Sequence, residues 1–402
     1  MSLHRPTRQE TVAVPRAERG IVLAIVLVMI FALVTAVYAF QHRAIIDTTI
    51  ASNRLEAADA DALARGGLRL AEVLITIVRA QQAAGAGAGG GGDVPGQSNA
   101  DAAGSLASAP PGTTDAIWQG IGAVPIQIDE SRGIRISIED EGAKLNLNAL
   151  VPPTGIGEDD ATGDPDAVDD GEGSEASEEA VEFLTEAMGY VIDGMEGRPE
   201  DTNYDPRSIA ENILDFMDGN RTAVNGRAED EYYRRQDPPY SAWNRPLVSV
   251  DQLGLVEGVD PLLLEELRHY VTVHPIAGTA GINLNRAEPW VLRLVYAGTS
   301  GNMRLIDERL AEDIYRLRES GNLVCDGGGE DPRCVPIAEV GNGELGNGSI
   351  YPAPSLPAKP DVFRVTVTAE VDGIERRVEA IYDTRPTDGP LLLSWRRLRG
   401  RD

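Results

Sequence analysis

The chain has 402 residues, with 36 basic against 64 acidic and a formal net charge of −28. That length allows two or three domains, and 42% hydrophobic residues suffice for a real core. The acidic excess excludes a general polyanion binder, because phosphate contacts need clustered Lys and Arg, and Lys144 and Lys359 are the two lysines. Two cysteines and four histidines, with no Cys-x-x-Cys pair, leave few ligands for zinc.

Residues 21–40 are twenty uncharged, nearly all apolar residues, about the number that spans the hydrocarbon core of a bilayer as a helix. Arg5, Arg8, Arg16 and Arg19 precede them against Glu10 and Glu18. Positive charge stays on the cytoplasmic side, so the chain beyond Phe40 is expected to be exported. The apolar run exceeds that of a cleaved signal peptide and no small-residue cleavage box follows it. Gly20 stands at the boundary between the basic leader and the apolar run. This resembles the leader of type IV pilins and pseudopilins, and the resemblance implies cleavage between Gly20 and Ile21 by a prepilin peptidase and methylation of Ile21. Most such proteins carry Glu at the fifth mature position, where this chain has Ile25. An apolar residue there is similar to the minor pseudopilin K family. The helix is expected to continue through residues 51–79, where Leu55, Leu63, Leu68, Leu70, Val73 and Leu74 form a partly amphipathic pattern.

Residues 83–112 are rich in Gly, Ala, Ser and Pro and read as a flexible loop. Residues 126–128 and 134–139 alternate apolar and polar, as strands do. Residues 158–186 hold thirteen acids and no base, which reads as a solvated linker, with a calcium or partner patch as the alternative. A helical pattern follows over residues 178–270, including 209–217 and 261–270, the latter with Asp260 as N-cap and Pro261 at the first helical position. Further helices are expected over 288–296 and 305–318, the second supported by Glu312 and Arg316 at i, i+4. Residues 362–371 and 374–382 then form a hairpin around Asp372-Gly373.

Four ordered motifs sharpen the resemblance: residues 138–148 (Ile-Glu-Asp through Asn-Leu-Asn), 228–233 with Pro238-Pro239-Tyr240, 244–250, and 282–287. On these the chain resembles the minor pseudopilin K family of type II secretion. The resemblance implies an α+β, pilin-like fold with a long N-terminal transmembrane helix, an antiparallel sheet and a large inserted all-helical domain. The expected divisions are 1–20 leader, 21–40 transmembrane helix, 41–82 its periplasmic part, 83–116 linker, 117–150 first strands, 151–180 acidic linker, 181–300 inserted domain, 301–390 return to the pilin-like domain and 391–402 basic tail. It further implies a place at the pseudopilus tip and an inner-membrane anchor. The implied partners are the minor pseudopilins I and J, other pseudopilins, the prepilin peptidase and the secretin or an exported substrate, with no nucleic acid. Ile25 accords with a tip position, since a subunit with none stacked above it need not offer a carboxylate to a neighbour's amine. A minor pilin of a type IV pilus or competence system, or a signal-anchored periplasmic binding module, is the alternative.

Cys325 and Cys334 favour a disulfide in an exported domain, with two free thiols as the alternative. Calcium is the candidate cofactor. One oxygen-rich set is Asp326, Glu330 and Asp331 between the cysteines; the other is Asp218, Asn220 and Glu229 at the first, third and twelfth positions of a calcium loop, with Ala223 where an EF-hand needs Gly. Solvated turns are the alternative for both. Residues 253–261 resemble a helix-hairpin-helix turn, but Asp251, Glu257, Asp260, Glu265 and Glu266 would repel phosphate, so a structural role is expected. No P-loop, His-Glu-x-x-His or Gly-x-Ser-x-Gly occurs, His269 and His274 read as cap or packing residues, and no enzyme is expected.

Overall fold

The computed structural model describes residues 17–87, 125–151, 177–197, 202–220, 223–224, 230–327, 332–346, 348–356, 360–386 and 389–398. Helix α1 (Ala17–Gly87) is continuous over 71 residues, about 107 Å at 1.5 Å per residue. It runs past the expected end into residues 83–87 of the Gly-Ala tract; the rest of that tract and most of the acidic linker lie outside the described residues. Every side chain from 22 to 55 is exposed on the isolated chain, and the helix is long and apolar enough to cross a membrane once. The later part carries the narrow stripe Ala60, Ala64, Leu68, Ala71 and Ile75, all buried. These recur at helical spacing, so one face of α1 seals onto a sheet.

That sheet has the order β1 (Ile126–Gln127), β2 (Arg132–Asp140), β10 (Val362–Val371), β11 (Ile374–Asp383), β12 (Leu391–Leu398), antiparallel throughout. Ile134, Ile136 and Ile138 pair with Ala369, Val367 and Val365 and face α1 with Phe363, Val378, Ala380 and Tyr382. Gly67 is required at this contact, since a Cβ there would lie 2.5 Å from Cγ1 of Val367. Asp61 of α1 reaches Arg397 of β12 at 2.8 Å and Arg376 of β11 at 3.9 Å, which ties the helix to the strands at one edge. The β10–β11 hairpin turns at Asp372 and Gly373, both with positive φ (49° and 82°), as the two-residue turn demands.

Between β2 and β10 the chain leaves the sheet and builds a second core. Its helices are α2 (Glu178–Gly194), α3 (Pro206–Met217), α4 (Asp230–Tyr233), α5 (Pro261–Tyr270), α6 (Pro289–Leu292) and α7 (Glu308–Glu319). Ser177, Asp205, Asp260 and Asp307 cap α2, α3, α5 and α7, and Pro261 takes the first position of α5 as expected. Phe183, Leu184, Met188, Ile213, Leu214 and Phe216 fill the centre.

The structure corrects four expectations. The inserted domain is not all-helical: β3 (Leu145–Asn146) pairs in parallel with β4 (Val271–Thr272), β5 (Tyr296–Thr299) pairs with β6 (Asn302–Leu305) and β9 (Ser349–Tyr351), and β7 (Leu323–Cys325) pairs in parallel with β8 (Cys334–Pro336). The helix expected over 288–296 is only the single turn α6, because the apolar run Val295–Tyr296 turns into a strand. The return to the five-stranded sheet comes at Val362 and not at 301, since Leu310, Ile314, Val324, Val340 and Leu345 belong to the inserted core. The tail likewise contributes β12, an edge strand with Leu391, Leu392 and Trp395 exposed.

Candidate functional site at the seam between sheet and inserted domain

The face of the sheet turned away from α1 carries the polar half of each strand's alternation, with Arg364 on β10, Glu379 on β11 and Arg396 on β12. These residues meet charges from the inserted domain in one alternating series. Glu141, in the turn just past β2, is 1% exposed, and its Oε1 accepts from Arg364 Nε at 2.5 Å. Arg364 Nη1 reaches Glu379 at 3.0 Å, Glu379 accepts from Arg396 Nε at 2.8 Å, and Arg396 Nη1 lies 3.2 Å from Asp251. Asp251, at the turn before α5, also pairs with Arg268, which reaches Glu265 at 3.3 Å. Thr272 Oγ1 donates to the second oxygen of Glu141, and Lys144 Nζ donates to the Arg268 carbonyl at 2.7 Å.

Burial pushes the Glu141 carboxyl up, but the Arg364 guanidinium outweighs it and holds the group below the usual range. The same balance, with Arg268 as the donor, holds Asp251 down. Burial pulls Lys144 down against its acidic neighbours. Asp140 behaves oppositely. It is sealed under the inserted domain, accepts from Gly142 N and Asn283 Nδ2, both at 2.9 Å, and lies 3.7 Å from Arg286. Burial outweighs these partners and raises it to about 6.

The two Asn-Leu-Asn motifs use one device twice. Asn146 and Asn283 each accept from the backbone N–H two residues on, closing a tight turn. Asn148 then clamps remote backbone, donating to the carbonyls of Leu247 (2.9 Å) and Val273 (2.8 Å) and accepting from Leu247 N. Asn285 does the same to Val324, donating at 2.8 Å and accepting at 2.7 Å. Buried amides with every strong group satisfied fix a unique geometry. The motif 228–250 feeds this seam too, since Leu247 is the segment that Asn148 grips and Ala242 N donates to Asp230 Oδ1 at 3.0 Å.

Sequence reasoning singled out the motif containing Glu141 and Asn148 but missed Arg364, the partner of Glu141, and Glu379 and Arg396 further along the series. Their only signal was charge at the polar positions of alternating strands. Cys325 and Cys334 are joined, with Cα atoms 5.8 Å apart. Asp326 follows on the surface; Glu330, Asp331 and Glu229 lie outside the described residues. Asp218 is buried at the end of α3 beside Asn220, whose Nδ2 donates to it at 2.8 Å. Asp215, one turn earlier, accepts from Val224 N at 2.9 Å, so two carboxylates flank the loop that sequence suggested for calcium. Among the described residues no three Asp, Glu, His or Cys side chains converge as a metal cluster. Gly258, with φ +89°, turns the chain against Ile209, which gives the hairpin-like segment a structural task.

A long helix, apolar enough in its first half to cross a membrane and laid on an antiparallel sheet in its second, with a clamped domain spliced between β2 and β10, defines the architecture. Residues 143–276 match the family described as Type II secretion system (T2SS), protein K. The chain is 33% identical over 97 residues to the Type II secretion system protein K of Klebsiella pneumoniae, covering 24% of this chain and 29% of that protein. It is 27% identical over 203 residues to the protein of the same name from Aeromonas hydrophila, covering 49% and 56%. The matches thus span from under a third to about half of these relatives. The solved GspK-GspI-GspJ complex of the enterotoxigenic Escherichia coli Type 2 Secretion System contains a chain similar at 18% identity and TM-score 0.43, over 69% of this chain and 83% of that one.

Two outcomes test the seam. Arg364→Met leaves Glu141 buried and unpaired and should cost about 3–5 kcal/mol, read as a large fall in melting temperature; a change within about 0.5 kcal/mol would show the network to be inert. For Asp140 the folded carboxyl binds its proton more tightly than the unfolded one. Its contribution is therefore fully present below the unfolded value of 3.8 and lost as pH rises to about 6, a swing of about 3 kcal/mol. Asp140→Asn should gain on the parent chain across that window and hold a constant difference above it. Equal melting differences at pH 4 and pH 7 would refute the assignment.

Proposed function

We propose that this chain is a non-enzymatic minor pseudopilin of a type II secretion system, placed at the tip of the pseudopilus. It is made as a precursor, anchored once in the inner membrane by α1, cut between Gly20 and Ile21 and methylated on Ile21, with its head in the periplasm. Its partners are the minor pseudopilins I and J, counterparts of the GspI and GspJ named in the solved complex, then further pseudopilins and the secretin or an exported protein. The observation that carries the reading is the combination in one chain of the protein K match over 143–276 and a helix continuous from Ala17 to Gly87. The bulk of the inserted domain supports the tip, because a head of that size would obstruct regular stacking along a filament but not at its end.

The deciding experiment is mass analysis of the amino terminus from membranes with and without active prepilin peptidase. A methylated Ile21 terminus that needs the peptidase is expected; an intact leader in the presence of active enzyme would overturn the processing route. Calcium binding at the loop after α3 is a second proposal, favoured by the buried Asp218 beside Asn220, whose oxygens suit a hard cation. A calcium chelator should lower the melting temperature of the protein, and the shift should vanish in Asp218→Asn. Identical melting with and without chelator would remove the metal.

A further inference from the structure

The seam encloses a cleft of about 170 Å³, lined by Arg268, Arg364, Arg396 and His274 against Asp251 and Glu379. Among the described residues, each of its three guanidinium groups keeps one nitrogen outside the ion pairs. Arg364 uses Nε on Glu141 and Nη1 on Glu379, leaving Nη2. Arg396 uses Nε on Glu379 and Nη1 on Asp251, leaving Nη2. Arg268 uses Nη2 on Asp251 and Nε on Glu265, leaving Nη1. His274 is 3% exposed, and its Nδ1 has no hydrogen-bond partner among the described residues. The acids have no such surplus: both oxygens of Glu379 and both of Asp251 already face guanidinium nitrogens. Three Arg and two acids line the cleft, and Glu141 and Glu265 hold Arg364 and Arg268 from outside the lining. Its other lining residues include Val248 and Trp395, which are about half exposed (49% and 53%) and offer apolar contact at the mouth.

From the unused guanidinium nitrogens, the unpartnered imidazole and the apolar mouth, we propose that this cleft binds a carboxylate borne on an apolar group. A carboxylate presents two oxygens, each of which takes the one free nitrogen of a different guanidinium in charge-assisted hydrogen bonds. An aromatic or branched aliphatic neighbour would rest on Trp395. Two sources share this chemistry: an acidic side chain or chain terminus of a docked protein, and a small free carboxylate. The proposal does not depend on the secretion reading, since it rests only on the seam.

The test uses the full chain in detergent at neutral pH, with tryptophan fluorescence and melting temperature as readouts. The probes are 3-phenylpropionate, its neutral amide, and a blocked Phe-Asp dipeptide with an amidated end. Saturable binding of 3-phenylpropionate is expected, and none of the amide. Arg396→Gln should weaken it about tenfold, and Trp395→Ala should remove the fluorescence response. If the dipeptide saturates at the lower concentration, the source is a protein segment; if 3-phenylpropionate does, it is a free acid. The proposal is overturned by equal binding of the amide, by no saturation below about 10 mM, or by unchanged affinity in Arg396→Gln. Should Arg396→Gln melt early, Ser394→Glu, which places a carboxylate in the cleft, tests the same point: it should block binding, and undiminished binding refutes the site.

Discussion

The ion pair between Glu141 and Arg364 is the constraint on which the rest of the molecule depends. It joins the first residue beyond β2 to the start of β10, the two points where the chain leaves the sheet and comes back. A charge taken wholly out of water is tolerated only with a close, well-aligned partner, so Glu141 dictates where Arg364 must lie and hence how β10 docks against β2. From there the alternation passes through Glu379 and Arg396 to Asp251 and Arg268, so each of the last three strands of the sheet is referenced to the inserted domain. Aligned charges give little net stability, but they penalise every wrong registration.

Around this polar seam lie two dry cores that share almost nothing. One is the layer of small and branched residues between α1 and the sheet; the other is the helical interior centred on Phe183 and Phe216. Neither can orient the other, because apolar contact is non-directional. Orientation comes from the ion pairs across the seam. The two Asn-Leu-Asn turns grip backbone far along the chain, at Leu247, Val273 and Val324, and so brace the inserted domain from inside. The disulfide at Cys325 secures the strand that Asn285 holds.

Much of this was legible from the residues. The long apolar helix, the hairpin at Asp372-Gly373 and the capped helix after Asp260 all rest on local rules of period, turn and cap, while the motif around Asn146 was marked by its resemblance to a family. What was hidden rests on distance along the chain. Alternation in β10 and β11 says that Arg364 and Glu379 share a polar face, but not that another domain covers that face. Residues 288–296 look helical by pattern, yet Tyr296 pairs with Leu305 and Tyr351, and that tertiary pairing overrides the local preference. The boundary at 301 failed for the same reason: the strands and helix beyond it find their apolar partners in the helical core and not in the sheet.

Splicing the domain between β2 and β10 also sets an order of events. The sheet's centre is β10, and its partner β2 is made long before it. Until the last three strands exist, β2 has only the two-residue β1 beside it and the apolar stripe of α1 has no sheet to cover. Closing that gap as an open loop would carry a large entropic burden and slow folding. A domain that has already folded on its own core brings residues 141 and 361 close and shortens the effective loop. The inserted domain thus shortens the gap that β10 must close to reach β2.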